Sequence, residues 1–436
     1  MALTSSEFVG GDGLTRSRAT KEPVRFHVFD DCVYAYEYAL ANRELSSLTY
    51  KQNLPSGLSE GYIEMPLDER QIPDLVRRLA YYDKIEVNGL THFTHQKTLS
   101  GVSGAIQSSS GKAYMTHWIY PYKGKFHPQM VRALLNIMGV GQGEVVLDPM
   151  TGSGTLNVEA SLMGIDSIGI DCLPIAVLTA QVKCNLLNGH VAKNFVEALP
   201  KKPPNGPARL ERFLDNEPEE KACSEDADVN DVLRLLQFEA LSISQLPNRD
   251  FATVWTKMAT YYRDTALQCP RIVRKLGLTL GKTDIRLGDS RKLEMPSESI
   301  DGIITSPPYA IALDYVARNE LQLQTLGYSM SEIYENTIGL RGKKKEQIRN
   351  YYEDLDISIR EMYRVLKPGR FCVIVAGDTR FDGEVLPTVQ RTIDMANRAG
   401  FSLSANMRKI SAGRFGLFKT ESMLLFQKAD HGRRTA

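Results

Sequence analysis

Glu144-Val145-Val146-Leu147-Asp148-Pro149-Met150-Thr151-Gly152-Ser153-Gly154-Thr155 is an apolar strand pattern that runs into a glycine turn, and a helical pattern over 156–163 follows it. Strand, glycine turn and helix in that order form the first unit of a Rossmann-like sheet. Glycine lets the backbone pass close to a ligand, and a helix N-terminus presents free N–H groups to it. A second strand pattern, Ser167-Ile168-Gly169-Ile170-Asp171, ends in a carboxylate 19 residues after Gly152. That spacing suits an acid that accepts from both hydroxyls of a ribose. The GxGxxG fingerprint is incomplete, which weighs against a dinucleotide site.

Further along, Ile300-Asp301-Gly302-Ile303-Ile304 reads as a buried strand, with Thr305-Ser306-Pro307-Pro308-Tyr309 at its C-terminal end. Open α/β sheets bind ligands at that end. Two prolines fix φ and carry no N–H, so the turn is stiff and its carbonyls face no competing donor. The Ser306 hydroxyl and the Pro307 carbonyl can then both accept from one NH₂ group. Tyr309 offers a flat face for a planar ring. A rigid pair of acceptors beside an aromatic platform suits the exocyclic amine of a nucleobase. Pro-Pro-Tyr by itself is also a common proline-rich loop or a short ligand for another domain, so the surrounding patterns decide.

In this order the motifs resemble those of the S-adenosylmethionine-dependent amino-methyltransferases, which methylate exocyclic nitrogens of bases. (S/T)-Pro-Pro-Tyr is most similar to the cytosine-N4 DNA enzymes; Asp- or Asn-Pro-Pro-Tyr is more usual for adenine-N6 enzymes. The resemblance implies S-adenosyl-L-methionine as cofactor, with Asp148, Pro149, Thr151, Gly152, Gly154 and Thr155 in its loop and Asp171 on its ribose. Asp289, in Thr283-Asp284-Ile285-Arg286-Leu287-Gly288-Asp289-Ser290, would accept from the adenine amine, and Thr305 would be a further cofactor-binding residue. Lys123-Gly124-Lys125-Phe126-His127-Pro128 is similar to a segment that encloses the methionine end, which brings in Lys125 and His127. Ser306, Pro307, Pro308 and Tyr309 then form the catalytic motif. No metal is required, and the substrate is DNA whose target base leaves the duplex.

The same resemblance implies an α/β, Rossmann-like fold with a mixed, mostly parallel sheet and a closing antiparallel hairpin. It covers about 120–190 and 283–428. It departs from the common arrangement, because the large insertion precedes the Asp289 motif. Three rival readings stand beside it: an adenine-N6 DNA enzyme, an RNA enzyme similar to the tRNA guanine-N2 methyltransferases, and a non-catalytic nucleic-acid-binding protein on the cofactor fold. Ser306 in place of Asp weighs against the RNA enzyme, and Asp171 and Asp289 weigh against the binding protein. No nuclease constellation is legible, so a restriction endonuclease partner would be a separate chain.

Composition sets the frame. The 436 residues allow two or three domains, and no apolar run approaches a membrane span. Six scattered cysteines without a CxxC pair predict a reduced, cytoplasmic protein without structural zinc. A net charge of +1 is no footprint for nucleic acid, so binding must come from local patches. Arg341-Gly342-Lys343-Lys344-Lys345 is the candidate patch, although a charge run is usually solvated surface. His92 and His95 lie three apart with no third ligand near and support no metal site.

Four segments are expected: a disordered start over 1–22, an α+β region of unreadable role over 23–110, and the Rossmann-like domain over 111–190 and 283–428. The fourth, 191–282, is a helical insertion that is either a spacer or a target-recognition region. Helices are predicted over 68–82, 232–241, 251–267, 314–326, 357–366 and 386–398. The penultimate one stops at Pro368-Gly369, ahead of a strand over 371–376. Segments 402–408 and 422–427 read as the hairpin.

Overall fold

Four short strands open the chain: β1 (Val24–Val28), β2 (Tyr62–Met65), β3 (Tyr82–Val87) and β4 (Leu90–Phe93), antiparallel in the order β2-β1-β3-β4. Helices α1 (Ala35–Thr49), α2 (Ile72–Arg78) and α3 (His95–Ser100) lie between and after them. The computed structural model describes residues 22–51, 54, 61–102, 113–122, 124–201, 203, 226–309, 315–342, 345–382, 384–412 and 418–430. The expected disordered start and most of the acidic stretch after 201 lie outside these residues.

The main sheet has seven strands in the order β12-β13-β9-β8-β5-β6-β7. In chain order, α4 (Pro128–Ile137) precedes β5 (Val145–Asp148), then come α5 (Thr155–Leu162), β6 (Asp166–Asp171) and α6 (Pro174–Asn185). The helical insertion follows as α7 (Gly189–Ala198), α8 (Ala227–Ser244) and α9 (Phe251–Lys275). The sheet resumes with β7 (Thr283–Leu287) and β8 (Ile300–Thr305), then three short helices, α10 (Tyr315–Arg318), α11 (Glu320–Thr325) and α12 (Met330–Asn336). The long helix α13 (Lys345–Val365) runs into β9 (Leu366–Ala376). After a small ribbon of β10 (Thr379–Phe381) and β11 (Glu384–Leu386), α14 (Thr388–Ala399) leads into β12 (Phe401–Ala412) and β13 (Phe418–Lys428). The pairs among β9, β8, β5, β6 and β7 are parallel, and β12-β13 and β13-β9 are antiparallel. The expected Rossmann-like sheet with its closing hairpin is therefore the observed one.

Alternation along the strands makes this a three-layer structure. Val146, Val373 and Val375 point into a core shared with α4 and the N-terminal region, while Leu147, Cys372 and Ile374 point into a core shared with α13 and α14. The N-terminal region is docked by buried polar contacts as well. Glu44 of α1 accepts from the backbone N–H of Tyr81 at 2.9 Å and from Asn136 Nδ2 of α4 at 3.0 Å. Burial pushes its carboxyl up to about 7.

Several predicted boundaries change. The helix expected over 68–82 is a short turn and the seven-residue α2, because Leu79 leaves the helix and Tyr82 starts β3. The helix expected over 314–326 breaks into α10 and α11 around Asn319, and residue 314 lies outside the described residues. Helix α13 is twice the expected length, and Pro368-Gly369 falls inside β9 rather than before it. There the β8–β9 register is irregular between Ile300 and Gly302, which tolerates the missing proline N–H.

Candidate active site

Strands β5, β6, β7 and β8 all point their C-terminal ends at one cleft, where the parallel sheet reverses direction of strand order. The cleft opens to solvent, and residues from the ends of these strands and from the segment before α4 line it together. Its floor is the loop after β5. Gly152 has φ +51, and a Cβ there would stand 3.1 Å from the Tyr122 ring. Gly154 has φ +73 and caps α5; a Cβ there would come within 2.6 Å of the Ala180 side chain. Glycine alone fits position 154, and at 152 it takes the left-handed backbone without strain.

Two carboxylates organise this loop. Asp171, at the end of β6, accepts from the backbone N–H of Gly152 at 2.8 Å and of Leu173 at 3.0 Å. Burial raises its carboxyl to about 6 against these hydrogen bonds. Asp148, at the end of β5, accepts from Thr305 Oγ1 at 2.7 Å and from the Met150 N–H at 3.1 Å, so it ties the β5 loop to the β8 motif. Burial raises it to about 7, and its buried Oδ2 has no partner among the described residues.

The far wall carries Asp289, whose carboxylate is already gripped by Arg291: Nε donates at 2.9 Å and a terminal nitrogen lies at 2.7 Å. Arg291 reaches on to Asp354 of α13 at 3.1 Å. The near wall comes from the segment before α4, where Tyr122, Gly124, Lys125 and Phe126 line the cleft. Lys125 Nζ donates to the His117 carbonyl at 2.8 Å, and burial lowers its pKa. The insertion supports this wall from behind. Trp118 Nε1 donates to Thr265 Oγ1 of α9 at 3.1 Å, and the Tyr120 N–H donates to Glu239 of α8 at 3.1 Å. Pro128 stands at the first turn of α4 with His127 as its N-cap residue.

Of the residues singled out in the sequence, Lys125, Pro149, Thr151, Gly152, Thr155, Asp171, Asp289, Ser306 and Pro308 line this one cleft. Asp148, Gly154 and Thr305 stand behind it as supports. Ser306 Oγ lies 3.3 Å from the Val375 carbonyl, to which it donates, leaving its lone pairs to accept. Pro307 is buried, and the Tyr309 hydroxyl donates to Glu421 of β13. Two residues of the basic loop are described away from the cleft lining. Arg341 bonds Asp354 at 2.9 Å, Lys345 lines a separate groove between α13 and α14, and Lys343 and Lys344 lie outside the described residues.

Sequence reasoning missed Leu173, Ser290, Asn336, Thr337 and Ile338 as lining residues. Leu173 lies two residues after Asp171 and Ser290 directly after Asp289, and strand-end position was a usable signal for them. Asn336 to Ile338 arrive through the fold of α12, and nothing in their local pattern marks them.

The residues suit a nucleoside carrying a sulfonium. Acceptors (Asp171, Asp289), hydroxyls (Ser290, Thr337) and apolar faces (Phe126, Leu173, Ile338) surround one cavity, and a glycine cradle brings backbone N–H groups to its floor. Comparison agrees. Residues 119–191 match the family model described as RMKL-like, methyltransferase domain. The type II methyltransferase M.MjaII of Methanocaldococcus jannaschii is 49% identical over 78 residues, which are 18% of this chain and 14% of that protein. M.BsoBI, a type II methyltransferase of Geobacillus stearothermophilus, is 20% identical over an alignment 400 positions long that takes in 65% of this chain and 78% of that one. A tRNA (guanine(10)-N2)-dimethyltransferase of Methanothermobacter thermautotrophicus is 40% identical over 50 residues, 12% of this chain and 15% of that protein. Among solved structures, an S-adenosylmethionine-dependent methyltransferase from Methanosarcina mazei overlaps 67% of this chain and 95% of its own at 13% identity, with a TM-score of 0.31. That overlap is too loose to bear on activity.

Sheet and cleft are Rossmann-like, and residues 119–191 match a methyltransferase domain, for which the cofactor is S-adenosylmethionine. Within that class the chain resembles the type II DNA methyltransferases.

Proposed function

We propose that this protein transfers a methyl group from S-adenosylmethionine to the exocyclic amine of a base flipped out of DNA, and that the atom methylated is cytosine N4. The carrying observation is the placement of Ser306 and Pro308 on the same cleft as Asp171 and Asp289. The acceptor motif and the cofactor loop are tied to each other through the Thr305–Asp148 hydrogen bond.

The bound cofactor supplies an electrophilic methyl on a sulfonium. The chain's residues make the amine a better nucleophile. An exocyclic amine delocalises its lone pair into the ring. Acceptors at Ser306 Oγ and the Pro307 carbonyl draw its N–H bonds out of the ring plane and stabilise the positive charge that develops on nitrogen. Because Ser306 spends its proton on Val375, its oxygen is available to accept. Tyr309 offers a stacking surface that offsets part of the unstacking cost, on the order of 1–3 kcal/mol per base. Asp171 holds the glycine loop by its backbone and keeps lone pairs for hydroxyls of the ribose.

DNA as substrate is supported by the match to M.BsoBI along most of that protein's length. Digestion of DNA methylated by the purified protein, with nucleosides resolved by mass spectrometry, is expected to yield N4-methylcytosine. N6-methyladenine instead would refute the base assignment and keep the mechanism. A second reading, an RNA guanine-N2 enzyme, draws on the short match to the tRNA dimethyltransferase. Methyl transfer to RNA alone would favour it.

A further inference from the structure

Tyr309 ends the acceptor motif, yet what holds it comes from three strands that are remote in sequence. Its hydroxyl donates to Oε1 of Glu421 on β13. Oε2 of Glu421 accepts from Lys409 Nζ on β12 at 2.8 Å, and the two residues are direct cross-strand partners. The ring lies beside Gly377, just past β9, where an added Cβ would stand 3.1 Å from ring carbon Cε1 and 3.6 Å from Glu421 Cγ. Both Glu421 and Lys409 are mostly buried, with side-chain exposures of 13% and 16%.

An ordinary cross-strand ion pair would satisfy Glu421 through Lys409 alone. Here the carboxylate divides its oxygens, one to the lysine and one to the phenol. A tyrosine pinned at both ends, by its backbone behind Pro308 and by its hydroxyl at Glu421, cannot swing about χ1 and χ2. A stacking platform needs that restraint, because a base finds its acceptors only if the ring beneath it has a fixed plane. Glycine at 377 leaves the room in which ring and carboxylate meet.

We propose that Glu421 is a positioning residue for methyl transfer, holding Tyr309 by its hydroxyl so that the ring is a fixed platform for the target base. This rests on the reading of residues 305–309 as a base clamp. Lys409 supports it one step removed, by holding Oε2 of Glu421 across the strand pair.

The test uses the full chain and the variants Y309F, E421A, E421Q and the double Y309F/E421A, with unmodified genomic DNA and unmodified total tRNA as acceptors. Y309F keeps the ring and loses the anchor. It and E421A are each expected to lower kcat about tenfold, as loss of one hydrogen bond to a charged group predicts, with S-adenosylhomocysteine affinity unchanged. The double variant is expected to be no slower than either single one, since both remove the same contact. E421Q retains an acceptor and is expected to recover most of the turnover. Wild-type kcat in E421A or Y309F, or losses that multiply in the double variant, would overturn the role of Glu421 alone. Should E421A fail to fold, Y309F and E421Q decide: full turnover in Y309F, or none recovered in E421Q, sinks the proposal. A wild-type protein inert on both acceptors would overturn the base-clamp reading and this inference with it.

Discussion

The two sides of the cleft are assembled by opposite strategies. On the β5–β6 side, the groups that hold one another are close in sequence: Asp171 bonds Gly152 and Leu173, and Asp148 bonds Met150. On the β8 side, each contact spans a long stretch of chain: Ser306 meets Val375, and Tyr309 meets Glu421. The first side is a locally determined loop with buried carboxylates that receive backbone N–H groups. The second is a short motif whose geometry is imposed by β9 and the closing hairpin. The two sides are joined at one point, the Thr305–Asp148 hydrogen bond, and are otherwise held by separate contacts.

The largest effects are expected on the acceptor side. Ser306→Ala and Tyr309→Ala should each lower kcat by about a hundredfold or more, while calorimetry with S-adenosylhomocysteine returns nearly wild-type affinity. Matching losses of affinity would merge the two sides. On the loop side, Asp171→Ala should weaken S-adenosylhomocysteine binding by about ten- to a hundredfold, because it removes both the ligand's acceptor and the tether on Gly152. Asp289→Ala should have a smaller effect in the same titration, below about tenfold, because Arg291 already occupies much of that carboxylate. An effect as large as that of Asp171→Ala would mean that Arg291 yields Asp289 to the ligand.

The smallest effect concerns the link between the sides. Burial raises Asp148 from 3.8 to about 7, so the folded protein favours its neutral form. Stability from this group is therefore complete below pH 4 or so, near the unfolded value, and is lost as pH rises to about 7. Asp148→Asn keeps an acceptor for Thr305 and removes the charge. Its melting temperature without ligand should exceed that of the wild type by a margin that grows over this window and is flat above it. A margin independent of pH would contradict the assignment.

The same contrast explains what the sequence made legible. The glycine loop was readable because Gly152 and Gly154 answer to local backbone needs, and Asp171 follows at a spacing set by one helix and one strand. Thr305 to Tyr309 was readable as chemistry, but its partners were not, since no local pattern tells that Glu421 of the hairpin will meet Tyr309. Asn336 to Ile338 were invisible for the same reason. The insertion carried amphipathic helices that were plain in the sequence, but its support of the Trp118–Phe126 wall depends on Thr265 and Glu239, which nothing local marks. Helix α2 was overread because Leu79 continues the apolar spacing although the backbone there turns extended.

One buried core joins Val24 and Phe26 from the start of the chain with Val373, Met423 and Leu425 near its end. During synthesis, then, the N-terminal region meets α4 early, but the part of its core supplied by β9 and the hairpin is made only long afterwards. A stop codon before β13 would leave that part uncovered and Tyr309 without Glu421, so truncated products should be prone to aggregation as well as inactive.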